Sequence, residues 1–188
     1  MKTVAGGAVL SLAVLLGIAT VSRAPVAAET DPSPSVTTLA DTCGQLAHLR
    51  IKDVTITIAA THAAGEQVPN SGLSPMFGKA AVVGKAPADF CRVVGHIRPT
   101  RSSDIGFEVW LPSAGWDGRL HGIGIGGFAG AIDYFTLAQG VRAGQATLAT
   151  DTGHRGTMQE SAWSKGQPQK VREYSWRAIH LSTVAAKQ

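Results

Sequence analysis

The chain has 188 residues, 44% of them hydrophobic, with 22 glycines and only two cysteines. Its formal net charge of +4 is scattered along the sequence and not clustered with aromatic residues, which excludes a nucleic-acid groove as the organising feature. The length accommodates one domain and hardly two.

Lys2 is followed by an uncharged, mostly apolar run from Val4 to Val21, interrupted by Gly6, Gly7 and Gly17. With the small residues Val26-Ala27-Ala28, this makes the three-part pattern of a secretory signal peptide over residues 1–28, cleaved after Ala28 or alternatively after Ala24. The competing reading is a transmembrane anchor, but no basic stop-transfer cluster follows the run. Cleavage removes Lys2 and Arg23 and no acid, so 17 basic and 13 acidic side chains become 15 and 13, a net of +2. The expected location is therefore secreted or periplasmic, with no nucleic-acid partner and no membrane attachment after cleavage. Residues 29–40, beginning ETDPSPSVTT, read as a disordered leader because Pro and Ser outnumber large apolar groups. A single domain over 41–188 remains. In an oxidising compartment its cysteine pair, Cys43 and Cys91, is expected to be bridged. The lack of a third thiol and of a CxxC argues against a zinc or redox site.

Val54 to Ile58 alternates β-branched residues with a period of two, the pattern of a half-buried strand. Gly65 to Pro75 reads as loop. Phe90 to Ile97 is a second strand, Pro99 to Asp104 a turn, and Ile105 to Leu111 a third strand ended by Pro112. Leu120 to Ile125 is apolar enough for a buried strand and runs into Gly126-Gly127. The period then changes: Tyr134 to Ala143 is helical, with Asp133 as N-cap and Gly144 as C-cap. Ala146 to Thr150 is another strand, followed by a loop from Asp151 to Gly166. Val171 to Lys187 closes the chain as a helix with Trp176, Ile179, His180, Thr183 and Val184 along one face. This order implies an α/β sheet whose first strands are antiparallel. The last helix runs to Gln188 without a cap or polar tail, so the expected architecture is incomplete at the C-terminus.

Several motifs carry candidate chemistry. Gly122 to Gly127 matches G-x-G-x-x-G, but the match overlaps the strand, so two of its glycines would lie inside β structure and not in a phosphate-binding turn. Asp151-Thr152-Gly153 resembles the loop of an aspartic protease, which needs a second such loop to share the proton. A strand-end turn with Asp accepting backbone hydrogen bonds is the simpler reading. The six histidines, at 48, 62, 96, 121, 154 and 180, show no metal-ligand spacing, so no metal site is expected. His154 alone draws notice, because it sits in a Gly-containing loop after a strand. Ser74 and Ser164 lack a G-x-S-x-G frame. Gly126-Gly127-Phe128-Ala129-Gly130 follows a buried strand and admits two readings. It is either a tight turn that needs glycine for geometry alone, or a loop whose amides bind a developing oxyanion.

Taken together, these residues resemble the tannase/feruloyl esterase family of α/β-hydrolases. The resemblance runs through Cys43-Gly-Gln-Leu, Phe90-Cys91-Arg92-Val93, Phe107-Glu-Val-Trp-Leu-Pro112 and Trp116-Asp-Gly-Arg119. It continues in Gly126-Gly127-Phe128-Ala129-Gly130, Ala149-Thr-Asp-Thr-Gly-His154, Arg177-Ala-Ile-His180 and Thr183-Val-Ala-Ala-Lys187. It implies the N-terminal part of an α/β-hydrolase domain over residues 41–188. It also implies a serine esterase that cleaves carboxylic esters of phenolic acids, such as ferulate or gallate, through an acyl-enzyme. Gly126 and Gly127 would supply oxyanion-hole backbone donors, with Gly127 foremost, and Cys43–Cys91 would be the family's early disulfide.

The family's nucleophile lies in a Cys-Ser-x-Gly-Gly elbow after the helix corresponding to Tyr174–Lys187. Its acid and histidine come later, and a lid that often binds calcium lies between. The resemblance therefore assigns no catalytic residue and no cofactor within these 188 residues. It implies a fragment that is inactive and poorly soluble by itself. The departures are small: His121-Gly-Ile-Gly-Ile replaces the usual Asn-Gly-Gly type of motif, and Arg101-Ser-Ser-Asp104 lengthens a turn. An alternative is a non-catalytic exported binding or structural domain derived from that fold. A third reading is a self-sufficient enzyme using the Asp151 loop in a homodimer.

Overall fold

A computed structural model describes residues 36–70 and 82–188, and side chains over 41–69 and 84–188. The signal-peptide reading of residues 1–28 lies outside the described residues. Helix α1, Val36–Gln45, begins inside the stretch 29–40 read as a leader. Order there starts earlier than composition suggests, because α1 is tied through Cys43 to Cys91 on strand β4, Phe90–Ile97.

Five strands form the main sheet in the order β1-β4-β5-β7-β6. Strands β1 (Val54–His62), β4 and β5 (Ile105–Pro112) pair antiparallel, and β5 pairs antiparallel with β7 (Ala146–Thr150). Strand β6 (Leu120–Ile123) is parallel to β7, with Gly122 opposite Leu148. This is the α/β-hydrolase type of sheet with an antiparallel start that the sequence implies. Two details differ. β6 ends at Ile123, two residues before the apolar run does. Part of the expected loop at 65–75 instead forms β2, Gln67–Asn70, paired antiparallel with β3, Val82–Lys85. Pro69 and Asn70 hide this short hairpin from a propensity reading, because both residues disfavour strands except at edges.

Period-two alternation divides the core between the two faces of the sheet. On β5, Ile105, Phe107 and Val109 face one side with Val93, Leu148, Ala178 and Ala185. Trp110 faces the other side with Phe90, Ile123, Leu137, Val141 and Ala149. Helix α2, Tyr134–Arg142, covers the second face, and its N-cap Asp133 accepts from Thr136 N at 3.1 Å, as the sequence suggests. The Trp110 face also buries a carboxylate. Glu108 accepts from Arg92 Nε and Nη2 at 2.8 Å each, from Trp110 Nε1 at 3.1 Å and from the Tyr134 hydroxyl at 2.6 Å. Burial works against the Arg92 cation, but the bonds and charge of Glu108 outweigh it and hold the guanidinium above its ordinary value. Burial, together with Glu108, raises the Tyr134 phenol.

The closing helical segment starts earlier than expected and is not uniform. It comprises α3 (Pro168–Arg172), a π-helical turn (Glu173–Arg177) and α4 (Ala178–Ala186), and Pro168 stands in its first turn, where a missing N–H costs nothing. The buried side chains are Glu173, Ala178, Ser182 and Ala185, whereas Trp176, Ile179 and Val184 are 52%, 37% and 44% exposed. The large apolar stripe visible in the sequence is therefore not the packed face among the described residues. Small residues face the sheet instead and let the helix approach β5 and β7 closely.

The Cys43–Cys91 bridge closes a separation of 48 residues. On the chain-entropy view it stabilises the fold by roughly 4 kcal/mol. Replacing both cysteines by alanine should lower the unfolding free energy in urea by about 2–4 kcal/mol, and reductant should have no further effect on that variant.

Candidate functional site

Because β6 and β7 run parallel, the loops leaving their C-terminal ends, 124–130 and 151–156, emerge side by side. Gly130 and Gly156 join them in an antiparallel bridge, with Gly130 N donating to Gly156 O at 3.0 Å.

The first loop is a β-turn in which Ala129 N donates to Gly126 O at 3.3 Å. Gly127, its first central residue, has φ +58°, while Phe128 has ordinary φ, the pattern of a type II′ turn. A Cβ at Gly127 would lie 2.5 Å from the Met158 carbonyl oxygen, so both backbone angle and space demand glycine there. The polar groups on the back of the turn are all engaged. Phe128 N donates to Met158 O at 2.9 Å. The Phe128 carbonyl receives Trp163 Nε1 at 3.2 Å and His154 Nε2 at 2.9 Å, and the Gly127 carbonyl receives the Tyr174 hydroxyl at 2.5 Å. Within the turn Gly126–Ala129, the amides of Gly126 and Gly127 are the ones without a hydrogen-bond partner among the described residues.

The second loop is the support. Asp151 Oδ1 accepts from Gly106 N and Gly153 N at 2.9 Å each, tying the end of β7 to the start of β5. Thr152 has φ +60°, an unusual backbone for a β-branched residue, costing about 1–3 kcal/mol unless its surroundings impose it. Its hydroxyl donates to Asp151 O at 2.7 Å. His154 is buried, its ring stacked on Trp163 at 3.8 Å between centroids. Its Nε2 must carry the proton to meet the Phe128 carbonyl, and its Nδ1 lies 3.2 Å from Thr152 Oγ1. Nε2 is committed to the turn, so His154 acts as a strut that holds the Phe128 carbonyl.

Behind this loop, the fully buried Glu173 accepts from Gln169 Nε2 at 2.8 Å and from the Ser103 hydroxyl. Ser103 belongs to the turn that Arg101-Ser-Ser-Asp104 lengthens. The other Glu173 oxygen has no partner among the described residues and lies against Gly153. Burial raises the Asp151 carboxyl from 3.8 to about 6, against the lowering effect of the Gly153 and Gly106 amides, Arg155 and His96.

Of the residues singled out in the sequence, Gly126 and Gly127 lie in the turn that meets the Asp151–His154 loop through the Phe128 carbonyl, while Cys43 and Cys91 lie elsewhere as the bridge already described. Gly122 is inside β6, so the dinucleotide-type glycine spacing forms no turn there. Asp151 makes the strand-end turn. Sequence reasoning missed Met158, Trp163, Glu173 and Tyr174. They lie 20 to 47 positions from the residues they support in the turn or loop, and the one available signal was the pair of aromatics following a glycine-containing loop. Among the described residues no three His, Cys, Asp or Glu side chains are grouped to hold a metal.

A family profile described as tannase and feruloyl esterase matches residues 91–188. An uncharacterized esterase of Xanthomonas campestris is 39% identical over 137 residues, covering 73% of this chain and 22% of that protein. Feruloyl esterase C of Talaromyces stipitatus is 34% identical over 147 residues, covering 78% of this chain and 27% of its own length. The crystal structure of an esterase from Aspergillus oryzae superposes with a TM-score of 0.69 at 27% identity, covering 80% of this chain and 29% of that one. The chain thus spans less than a third of each of these proteins.

The folded pKa of Asp151 exceeds its unfolded value, so the folded chain holds this proton more tightly. The stability this gives is complete below about pH 4 and lost as pH rises through about 6. In urea titrations, the difference between wild type and Asp151→Asn should change by roughly 3 kcal/mol from pH 4 to pH 7. Parallel pH profiles would refute the buried-carboxyl account.

Proposed function

The chain belongs to the tannase and feruloyl esterase family, and on that premise we propose that it forms the oxyanion-binding part of a secreted serine esterase acting on phenolic acid esters. The observation that carries this is the turn at Gly126–Ala129, whose outward amides at Gly126 and Gly127 are the ones left without a partner among the described residues. In the proposed reaction a serine oxygen attacks the ester carbonyl, and the carbonyl oxygen takes the negative charge. The Gly127 N–H donates to it, and collapse expels the alcohol and leaves an acyl-enzyme that water then cleaves. A preorganised donor aimed at that oxygen contributes much of such a rate enhancement.

We place the nucleophile, the acid, the histidine and the lid outside these 188 residues. Two observations support this: Ser74 and Ser164 lack an elbow frame, and the chain spans less than a third of its relatives. The neighbouring Asp151 and His154 do not replace them. Asp151 Oδ1 is taken by two backbone amides, and His154 Nε2 is taken by the Phe128 carbonyl. The disulfide and the export-type leader support a secreted or periplasmic location.

The test is hydrolysis of methyl ferulate and methyl gallate by the complete protein exported by its native producer, with its intact mass recorded. Gly127→Ala in that protein should lower kcat about a hundredfold with KM little changed. No hydrolysis by the wild type would sink the esterase reading, and unchanged kcat in the variant would sink the role of Gly127.

A further inference from the structure

We propose that Tyr174 is a positioning residue that sets the aim of the Gly127 amide. This rests on the reading of the turn as an oxyanion hole. A donor stabilises a developing charge only if it points at the right place before the charge forms, with no reorganisation left to do. Gly127 is the residue least able to hold such an aim by itself, since without a Cβ its backbone has the widest choice of conformations. Its N–H and its carbonyl belong to two peptide planes that share one Cα. The first plane is fixed by the Ala129 N–H on Gly126 O; the second is held at both edges, by the Phe128 N–H on Met158 O and by the Tyr174 hydroxyl on Gly127 O, the latter being its side-chain anchor. Fixing both planes fixes the direction of the amide between them.

The helix is shaped to deliver that hydroxyl. Tyr174 is the second residue of the π-helical turn Glu173–Arg177, a local widening frequently found at functional sites. Glu173, one position earlier, points inward against Gly153, while Tyr174 reaches across to Gly127, 47 residues away. Successive side chains of a helix diverge by about 100°, so one turn braces both loops of the site. The Tyr174 ring is held in turn by Trp163 at 5.1 Å, His154 at 5.7 Å and Phe128 at 6.4 Å between centroids. Trp163 and His154 also hold the Phe128 carbonyl, so the same rings lock the next peptide of the turn.

The test is Tyr174→Phe in the complete exported protein, which removes the hydroxyl and keeps the ring. The expected result is kcat about tenfold lower with KM within about twofold, a fraction of the loss from deleting an oxyanion donor. The Gly127 amide resonance should shift while the melting temperature stays near that of the wild type. Ser175→Ala, which removes a hydroxyl bond to Val171 O on the same helix, should change neither readout. Wild-type kcat in Tyr174→Phe, or an unmoved Gly127 resonance, would overturn the proposal. Should the wild-type protein hydrolyse no phenolic ester, the esterase reading fails. The Gly127 resonance then decides the clamp alone, a shift supporting it and constancy overturning it.

Discussion

Parallel pairing of β6 with β7 is the constraint from which the candidate site follows. Every other pairing in the main sheet is antiparallel, and antiparallel neighbours present opposite ends to each other. Two parallel neighbours present the same end, so the glycine turn after β6 and the Asp151–His154 loop after β7 leave the sheet together. The requirement that buried backbone groups find partners then organises what happens there. Gly130 and Gly156 bond across the gap, and the Met158 carbonyl takes the Phe128 amide.

A turn that exposes two amides needs its other polar groups occupied, or it would rotate to satisfy them elsewhere. Three side chains with N–H or O–H groups and aromatic rings meet that need: His154, Trp163 and Tyr174. Each donates to a carbonyl of the turn while its ring packs on the others. The result is directional on one side and shielded on the other. This arrangement suits binding of a partial negative charge, and it commits His154 Nε2 to the turn.

The buried carboxylates fall into two groups with different physics. Glu108 has a guanidinium, an indole N–H and a phenol around it, so its charge is compensated and it ties the sheet to α2. Asp151 has backbone amides but no cation in salt-bridge contact, and burial accordingly pushes its carboxyl up to about 6. Among the described residues Glu173 likewise has no cation in salt-bridge contact, with one oxygen on Ser103 and Gln169 and the other against Gly153. The raised Asp151 carboxyl makes the loop that supports the glycine turn sensitive to pH.

The sequence by itself determined the strands at Val54, Phe90, Ile105 and Ala146, the helix capped by Asp133, and the family, because period-two and helical patterns and short motifs are local properties of the chain. It also marked Gly126 and Gly127 as glycines after a buried strand, and the structure adds that at Gly127 a positive φ and the close approach of Met158 leave only glycine. It did not reveal the β2–β3 hairpin, where Pro69 and Asn70 oppose the local pattern, nor which face of the last helix packs. There the sheet selected Ala178, Ser182 and Ala185 over the larger Trp176 and Ile179. Above all, tertiary structure alone decided what the glycine turn presents. The donors that hold its carbonyls come from up to 47 residues away, and no local pattern records a hydrogen bond that forms only once strands, loop and helix have been brought together.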